Sequence, residues 1–482
     1  MSKYRFLATV ALGCASVVGI GMRAAPSVES GPHDCITIDA RAVTRTLSPS
    51  FYGVNYVGSW DAHEGSAAGA RALAQTPIGF LRFPGGDPGD WYDWQDPYYK
   101  HWSTTTPLDV WRYARRLGAT VLFQTNYQGH LPHPPHQPYG VNAPENAAAW
   151  VRYNRTHGIA AVMEVGNEED ITMHRVRDSS FQPYARLFTA QARAMHAADP
   201  RVRVFGPAAT NEYSWRGLGA LDMFLQATGN RTGSGQIDGV SLHFYAGSTW
   251  DDSKGVAQYW SSPNGPWAFI QKTIRAHDTR ALPVLISEWN VGGGKAPGNL
   301  NPTLGHALVT ADMVGAFAES GVMGQVYFDI HGSRTWGFLY GDGEGRRPDS
   351  AAPTYYALAL WGHMGAYLLH VATSADPATV SAYATKRPSG AVQALVINKG
   401  DRARTLCIRF THFDPYGRVL RVYDLRGRHG RVADLDAVYN GVTMPAPWRP
   451  LPGPRVVSRV AGHSITYTLT PYSAAVLDIS AR

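Results

Sequence analysis

Val165-Gly166-Asn167-Glu168 and, 120 residues later, Ile286-Ser287-Glu288-Trp289-Asn290 decide how this chain is read. Each places a glutamate at the end of an apolar, β-branched run, the composition of a buried strand. In a closed parallel barrel the C-terminal strand ends carry the reactive groups. Two carboxylates delivered to that face suit acid/base and nucleophilic work on a glycosidic bond. The plainer alternative is two surface glutamates that merely close their strands, and the surrounding sequence decides between the two.

Outward from these strings, strand-like and helix-like segments alternate from residue 49 to residue 366. Apolar runs recur at Phe51–Val57, Ile78–Phe83, Thr120–Tyr127, Ala160–Val165, Val202–Ala208, Ile237–Tyr245, Pro283–Trp289 and Met323–Ile330. Between them lie amphipathic stretches, among them Leu108–Leu117, Ala147–Thr156, Tyr184–Ala198, Leu218–Thr228, Pro266–His277 and Leu304–Ser320. Eight such units predict a (β/α)8 barrel over residues 49–366, with Glu168 after the fourth strand and Glu288 after the seventh. A dinucleotide-binding sheet would need a Gly-rich turn after its first strand, and Gly58-Ser59-Trp60 does not supply one.

Beyond a last barrel helix expected at Tyr355–Leu368 the pattern changes to short β-branched runs. Val380–Ala384, Ala391–Asn398, Thr405–Phe410, Val419–Tyr423, Val456–Val460 and Ser464–Leu469 are divided by turns such as Asn398-Lys399-Gly400. They predict an antiparallel β-sandwich over residues 367–482, with Pro445–Pro454 as a long loop inside it. The opening run Cys35–Asp39 has no partner in the barrel, so residues 33–48 are assigned to the sandwich as well.

The N-terminus reads as an export signal over residues 1–25: Lys3 and Arg5, an apolar stretch from Phe6 to Met22, then Ala24, Ala25 and Pro26. The chain is therefore expected to be secreted or periplasmic. Cys14 lies within a poor lipoprotein box. The stretch is short for a membrane span, and no other segment is apolar enough for one. Without residues 1–25 the charge falls from +7 to +4, and no basic run interleaves with aromatics, so nucleic acid is not expected as a partner. Cys35 and Cys407 remain. Export and their two sandwich strands favour a disulfide between them; buried free thiols are the alternative.

Further residues then resemble a known family. Phe80-Leu81-Arg82-Phe83-Pro84-Gly85-Gly86-Asp87, with Tyr92 and Trp94 behind it, resembles the Arg-Trp-Pro-Gly-Gly stretch of family 51 α-L-arabinofuranosidases. Asp238–Tyr245 is similar to their sixth strand, and Asn167-Glu168 and Glu288 match the strand ends that define the clan A retaining glycoside hydrolases. The resemblance implies that Glu288 attacks the anomeric carbon and that Glu168 is the acid/base, the two carboxyls lying about 5 Å apart. It implies that Arg82 and Tyr245 hold the nucleophile and that Asn167 binds the sugar 2-hydroxyl and the nucleophile. Asp87 stands where several relatives place Asn.

Other candidates rest on position alone. His243 lies two residues before Tyr245, on the same face of its strand. Asn126 ends the third strand and fits either a hydroxyl contact or the start of a loop. Trp289, with Trp250, Trp260 and Trp336, sits near strand ends where indole rings could stack on sugar. His130, His133 and His136 recur among prolines and make a poor metal set, so no metal and no cofactor is expected. Gly292-Gly293-Gly294-Lys295 is followed by Ala296, unlike a nucleotide loop.

The reading is a retaining glycosidase acting on a carbohydrate, arabinofuranosidase-like. β-Xylosidase, β-glucuronidase and an endo-acting exopolysaccharide hydrolase of the same clan are alternatives. An inactive carbohydrate-binding barrel is the alternative of another class. Sugar, linkage and oligomeric state are not encoded in these motifs.

Overall fold

The computed structural model describes residues 34–58, 63–97, 105–129, 140–170, 181–210, 214–293, 298–332 and 336–481. The expected export segment and the histidines 130, 133 and 136 lie outside them. Among the described residues no helix is long and apolar enough to cross a membrane.

Eight parallel strands close a barrel in sequence order: β2 (Tyr52–Asn55), β3 (Phe80–Phe83), β4 (Thr120–Thr125), β5 (Ala161–Val165), β6 (Val204–Ala209), β7 (Gly239–Ala246), β8 (Val284–Val291) and β9 (Gly324–Tyr327), with β9 returning to β2. β1 (Asp34–Thr46) precedes the barrel and belongs to the second sheet; the barrel strands are buried along nearly their whole length because both faces of a barrel wall are covered. The helices between them carry local signals. In α2 (Pro107–Leu117), Thr106 and Asp109 form a reciprocal capping box, proline occupies the first turn, and Gly118 at φ 68° ends the helix. The other large barrel helices are α3 (Pro144–Thr156), α4 (Gln182–Ala198), α5 (Ser214–Thr228), α8 (Pro266–His277) and α9 (Leu304–Ser320), with short α1 (Ala67–Leu73), α6 (Trp250–Ser253) and α7 (Val256–Ser261) at the edges.

One expected helix is shorter than its pattern. Tyr355–Leu368 was expected to be helical, but α10 covers Pro353–Trp361, and Tyr367 already begins β10 (Tyr367–Thr373). Gly362 follows the helix, and Gly365 lies so close to the carbonyl of Lys386 that a Cβ there would come within 2.5 Å of it. Bare backbone is required where the chain turns from helix to sheet.

The second layer is an 11-stranded sheet, antiparallel except where β1 runs beside β13 (Arg404–Thr411). The remaining long strands are β11 (Val380–Lys386), β12 (Val392–Asn398), β14 (Val419–Gly427), β18 (Ser464–Leu469) and β19 (Ser473–Ile479); β15 (Ala437–Tyr439), β16 (Val442–Thr443) and β17 (Val456–Arg459) are short. Ile36, Ile38, Leu406 and Ile408 share one core with Val422, Val396 and Leu477. These strands are far apart in the ladder order, so the sheet folds over on itself as a sandwich does. Residues 445–454 form a loop without strand or helix, as expected.

Two helices are apolar all round because both of their sides are covered. In α9 every residue from Leu304 to Ala318 is buried. Its Asp312 meets Lys399 of the sandwich at 2.8 Å, both nearly inaccessible, and accepts from the Tyr383 hydroxyl at 2.7 Å. The equally buried α10 stacks Tyr356 on Tyr439 of β15.

Cys35 and Cys407 face each other in register on β1 and β13, yet both are free thiols, and the expected disulfide is not formed. In-register side chains on adjacent strands start about 4.8 Å apart, wider than the ~3.5–4.5 Å between Cβ atoms that a bridge needs. The pair instead shares a thiol hydrogen bond, which pushes the Cys35 thiol up. Cys407→Ser is therefore expected to change the unfolding free energy by less than about 1 kcal/mol. Denaturant titration checks this, since loss of a bridge would cost about 2–5 kcal/mol.

Candidate active site

The barrel mouth is organised around one buried cation. Arg82, near the end of β3, is fully buried and spends its guanidinium on four partners. Nε meets Glu164 Oε2 at 2.6 Å, Nη1 meets Asn55 Oδ1 at 3.0 Å and Glu288 Oε2 at 3.1 Å, and Nη2 meets Asn167 Oδ1 at 2.9 Å. Five donors in a rigid fork suit this planar array in a way that lysine would not.

Glu288 is 5% exposed. Its second oxygen accepts from the Tyr245 hydroxyl. Burial, reinforced by the nearby Glu168, pushes its carboxyl up, and Arg82 and the Tyr245 hydrogen bond oppose this without reversing it. Burial and the like charge of Glu288 push the Tyr245 phenol well above its ordinary range, so it stays a donor.

Glu168 follows β5 in a left-handed conformation at φ 52°, after Gly166 at φ 71°. A non-glycine residue there costs on the order of 1–3 kcal/mol. The turn is fixed by Glu168 N–H donating to the Ala208 carbonyl at 3.0 Å. Glu168 Oε1 lies 2.7 Å from His243 Nδ1, which in turn lies 3.7 Å from Glu288 Oε2. Burial, and after it the charge of Arg82, hold His243 down at about 4 despite the neighbouring carboxylates. The imidazole is neutral at pH 7, so Nδ1 can accept a hydrogen bond from a protonated Glu168. Oxygens of Glu168 and Glu288 lie within 4.8 Å of each other. With His243 these groups are close enough to hold a cation, but Arg82 already supplies the positive charge.

A cavity of about 590 Å³ abuts this mouth. It is lined by His243 and Tyr245, by Thr210 and Asn264, and by the exposed rings of Tyr259 and Phe269.

No family model matches the chain. A curated relative described as an intracellular exo-α-L-arabinofuranosidase of Bacteroides ovatus is 20% identical over 292 residues, 52% of each chain. The chain thus spans about half the length of that relative. Solved structures align over nearly all of it. An α-L-arabinofuranosidase from Thermotoga maritima in complex with arabinose matches with a TM-score of 0.67 at 17% identity, covering 93% of this chain and 100% of that one. A Paenibacillus polymyxa xyloglucanase of family 44, solved with xyloglucan, matches with a TM-score of 0.66 at 12% identity over 93% and 100%. The fold is the one these glycoside hydrolases share.

On this barrel most of the residues singled out in the sequence converge. Arg82, Asn167, His243, Tyr245, Glu168 and Glu288 form one contact network, and Asp87 joins it by accepting from Asn167 Nδ2 at 3.2 Å. Asn167 spends its amide on Arg82 and Asp87. Asn126 is a loop buttress: it is buried, donates to the Asp90 carbonyl at 2.8 Å and accepts from Gly129 N–H at 2.8 Å. Trp289 does not face the sugar position. As the neighbour of Glu288 in an extended strand it points to the opposite face of the barrel wall. There it is 2% exposed, packs on Phe317 and Tyr327, and donates to Gln325. Trp260 is likewise core, and Trp250 packs on Tyr472. Of the four indoles only Trp336 stands at the mouth, edge-on to Tyr245 and Phe328.

Glu164 and Asn55 were missed. Both are fully buried supports of Arg82. Glu164 had a signal: a carboxylate inside the apolar run Ala161-Val162-Met163-Glu164-Val165 must be paired if the strand is buried. Removing Arg82 would strand two buried carboxylates. Arg82→Met is expected to cost about 3–5 kcal/mol of stability, read by denaturant unfolding, whereas a neutral isosteric change at an exposed position would not.

Proposed function

We propose that this chain is a retaining glycoside hydrolase working by double displacement, with α-L-arabinofuranosides as its first candidate substrates. The observation that carries the reading is the pair Glu168 and Glu288. One oxygen of Glu168, after the fourth barrel strand, lies within 4.8 Å of one oxygen of Glu288, on the seventh. Retaining enzymes keep their carboxyls about 5–5.5 Å apart, and inverting enzymes need about 6.5–9.5 Å to admit a water.

Glu288 attacks the anomeric carbon while Glu168 gives its proton to the departing glycosidic oxygen. The C–O bond to the leaving group breaks as the ester to Glu288 forms. Glu168, now a carboxylate, takes a proton from water, and that water displaces Glu288 with a second inversion. Arg82 and Tyr245 hold Glu288 as an oriented carboxylate. His243, neutral, accepts a hydrogen bond through Nδ1 from protonated Glu168 and so orients the acid before it transfers its proton.

The name of the curated relative favours an arabinofuranosyl substrate. β-Xylosides, β-glucuronides and exopolysaccharides remain in the screen, because xyloglucanases and arabinofuranosidases resemble the fold about equally. The apolar segment Phe6–Met22 behind Lys3 and Arg5 supports export to a periplasmic or extracellular site of action.

A panel of aryl arabinofuranosides, xylosides and glucuronides tests the reading. One of them should be hydrolysed with retention, seen by NMR of the first-formed product. A protein that binds sugars but turns over none would be a binding barrel instead.

The two glutamates are expected to differ in their rescue. Glu288→Ala should lose activity by many orders of magnitude. Glu168→Ala should still form the ester from aryl substrates with good leaving groups, and added azide should release it as the glycosyl azide of retained configuration. Azide rescue of Glu288→Ala with retention would reverse the assignment.

A further inference from the structure

Beside the reacting carboxyls stands a second carboxyl pair that the proposed chemistry does not use. Asp90 lies in the single-turn helix Asp87–Trp91 after β3, and Glu169 directly follows Glu168. They are 1% and 0% exposed. Each is half satisfied by ordinary donors. Asp90 Oδ1 accepts from Tyr127 N–H at 3.1 Å, and Glu169 Oε2 accepts from the Gln128 side chain. The other two oxygens, Asp90 Oδ2 and Glu169 Oε1, have no donor among the described residues. Both carboxyls thus rest against the adjacent residues Tyr127 and Gln128, each with one oxygen that no donor among the described residues reaches. Two carboxylates cannot satisfy one another; a carboxyl and a carboxylate can.

Among the described residues the groups around the pair offer no cation to replace the proton. Asp87 faces it from the same helical turn and Asp170 from the same loop as Glu169. Tyr127 faces it from the segment after β4, and Tyr184, also near Glu164, from α4. Arg186, exposed on α4, acts on the Tyr127 phenol. Burial accordingly pushes Asp90 up to about 7, and pushes Glu169 well above its ordinary range.

The pair also packs against the strained turn. Glu169 directly follows the left-handed Glu168, and its side chain lies against Gly166 on the other side of that residue. Gly166 leaves no slack: a Cβ there would stand 3.0 Å from Cβ of Tyr127 and 3.4 Å from Cγ of Glu169.

We propose that Asp90 and Glu169 share one proton, and that this proton is the clasp that positions Glu168 for its acid/base role. Both are positioning residues. The second half of the inference rests on the glycosidase reading, and the first half does not.

The sign of the linkage follows. A carboxyl held protonated in the fold, with an unfolded value near 4, stabilises the fold at low pH. That stability is lost as pH rises from about 4 through the folded value. The amide of Glu169→Gln donates to Asp90 with no proton to lose. The difference in Tm, variant minus wild type, is therefore expected to be flat below about pH 4 and to climb between pH 4 and 8. Asp90→Asn should show the same slope, which covers the case in which one variant folds poorly. A pH-independent difference in both variants overturns the shared proton, whether or not the protein hydrolyses any glycoside.

Catalysis supplies the second arm, on an aryl glycoside that wild type turns over. At pH 5, Glu169→Gln should keep kcat within about threefold of wild type, while Glu169→Ala should lose on the order of 100-fold in kcat with KM little changed. Above pH 7 the wild-type kcat should fall faster than that of Glu169→Gln. Equal losses in the amide and alanine variants at pH 5, or parallel alkaline limbs, overturn the positioning role. If wild type turns over none of the panel, the functional reading fails, and the Tm series still decides the proton.

Discussion

The buried guanidinium of Arg82 is the interaction on which the site depends. A lone charge taken out of water is ruinous in free energy, so a buried arginine must be surrounded by acceptors that were placed for it. Four elements supply them: Asn55 from β2, Glu164 from β5, Asn167 from the turn after β5, and Glu288 from β8. These are the first, fourth and seventh of the eight barrel strands, spread around the barrel. The cation therefore does two things at once. It ties strands distant in sequence to one point, and it fixes the carboxylate proposed as nucleophile. Loosening any one acceptor shifts the others, because they all share a single planar donor.

A second constraint is backbone strain. Glu168 is held in left-handed conformation between Gly166 and the Ala208 carbonyl, and Ala208 is itself at φ 52°. Two strained non-glycine residues in contact mark a place where packing overrules local preference. The reward is direction. An extended continuation of β5 would carry Glu168 away along the strand, whereas the turn swings its carboxyl to within 2.7 Å of His243 and toward Glu288. The sandwich contributes from outside. Its Lys399 and Tyr383 grip Asp312 on α9, the helix that packs behind β8 and receives Trp289.

The barrel and the paired glutamates were legible because they depend on period and position. Eight apolar runs at regular spacing allow few architectures, and a glutamate at a strand end is visible as such. The last barrel helix was misjudged because Gly362 and Gly365 interrupt an apolar pattern that otherwise continues into β10; helix and strand share hydrophobicity there, and only the close approach of Gly365 to Lys386 separates them. Trp289 was misplaced for the opposite reason. Its position beside Glu288 drew attention, although alternation along an extended strand sends neighbours to opposite faces. Glu164 was overlooked because it looked like one polar interruption in a strand, when a buried strand gives such an interruption its meaning. The cysteines matched in register but not in reach, a distinction of about an ångström that sequence does not carry.

The charge balance of the mouth favours a particular kind of transition state. Glu164, Glu288 and Asp87 converge on a region whose one strong cation among the described residues is Arg82, and Arg82 is turned toward Glu164 and Glu288 rather than outward. His243 would offset this if it were charged, but burial keeps it neutral. The site therefore holds surplus negative charge in a low-dielectric setting, where fixed charges act with little screening. Such a field repels an anionic intermediate and steadies positive charge that develops at its centre. Glycosyl transfer passes through an oxocarbenium-like state with positive charge on the ring oxygen and anomeric carbon. On this argument the neutrality of His243 is as much a part of the proposed chemistry as the carboxyls themselves.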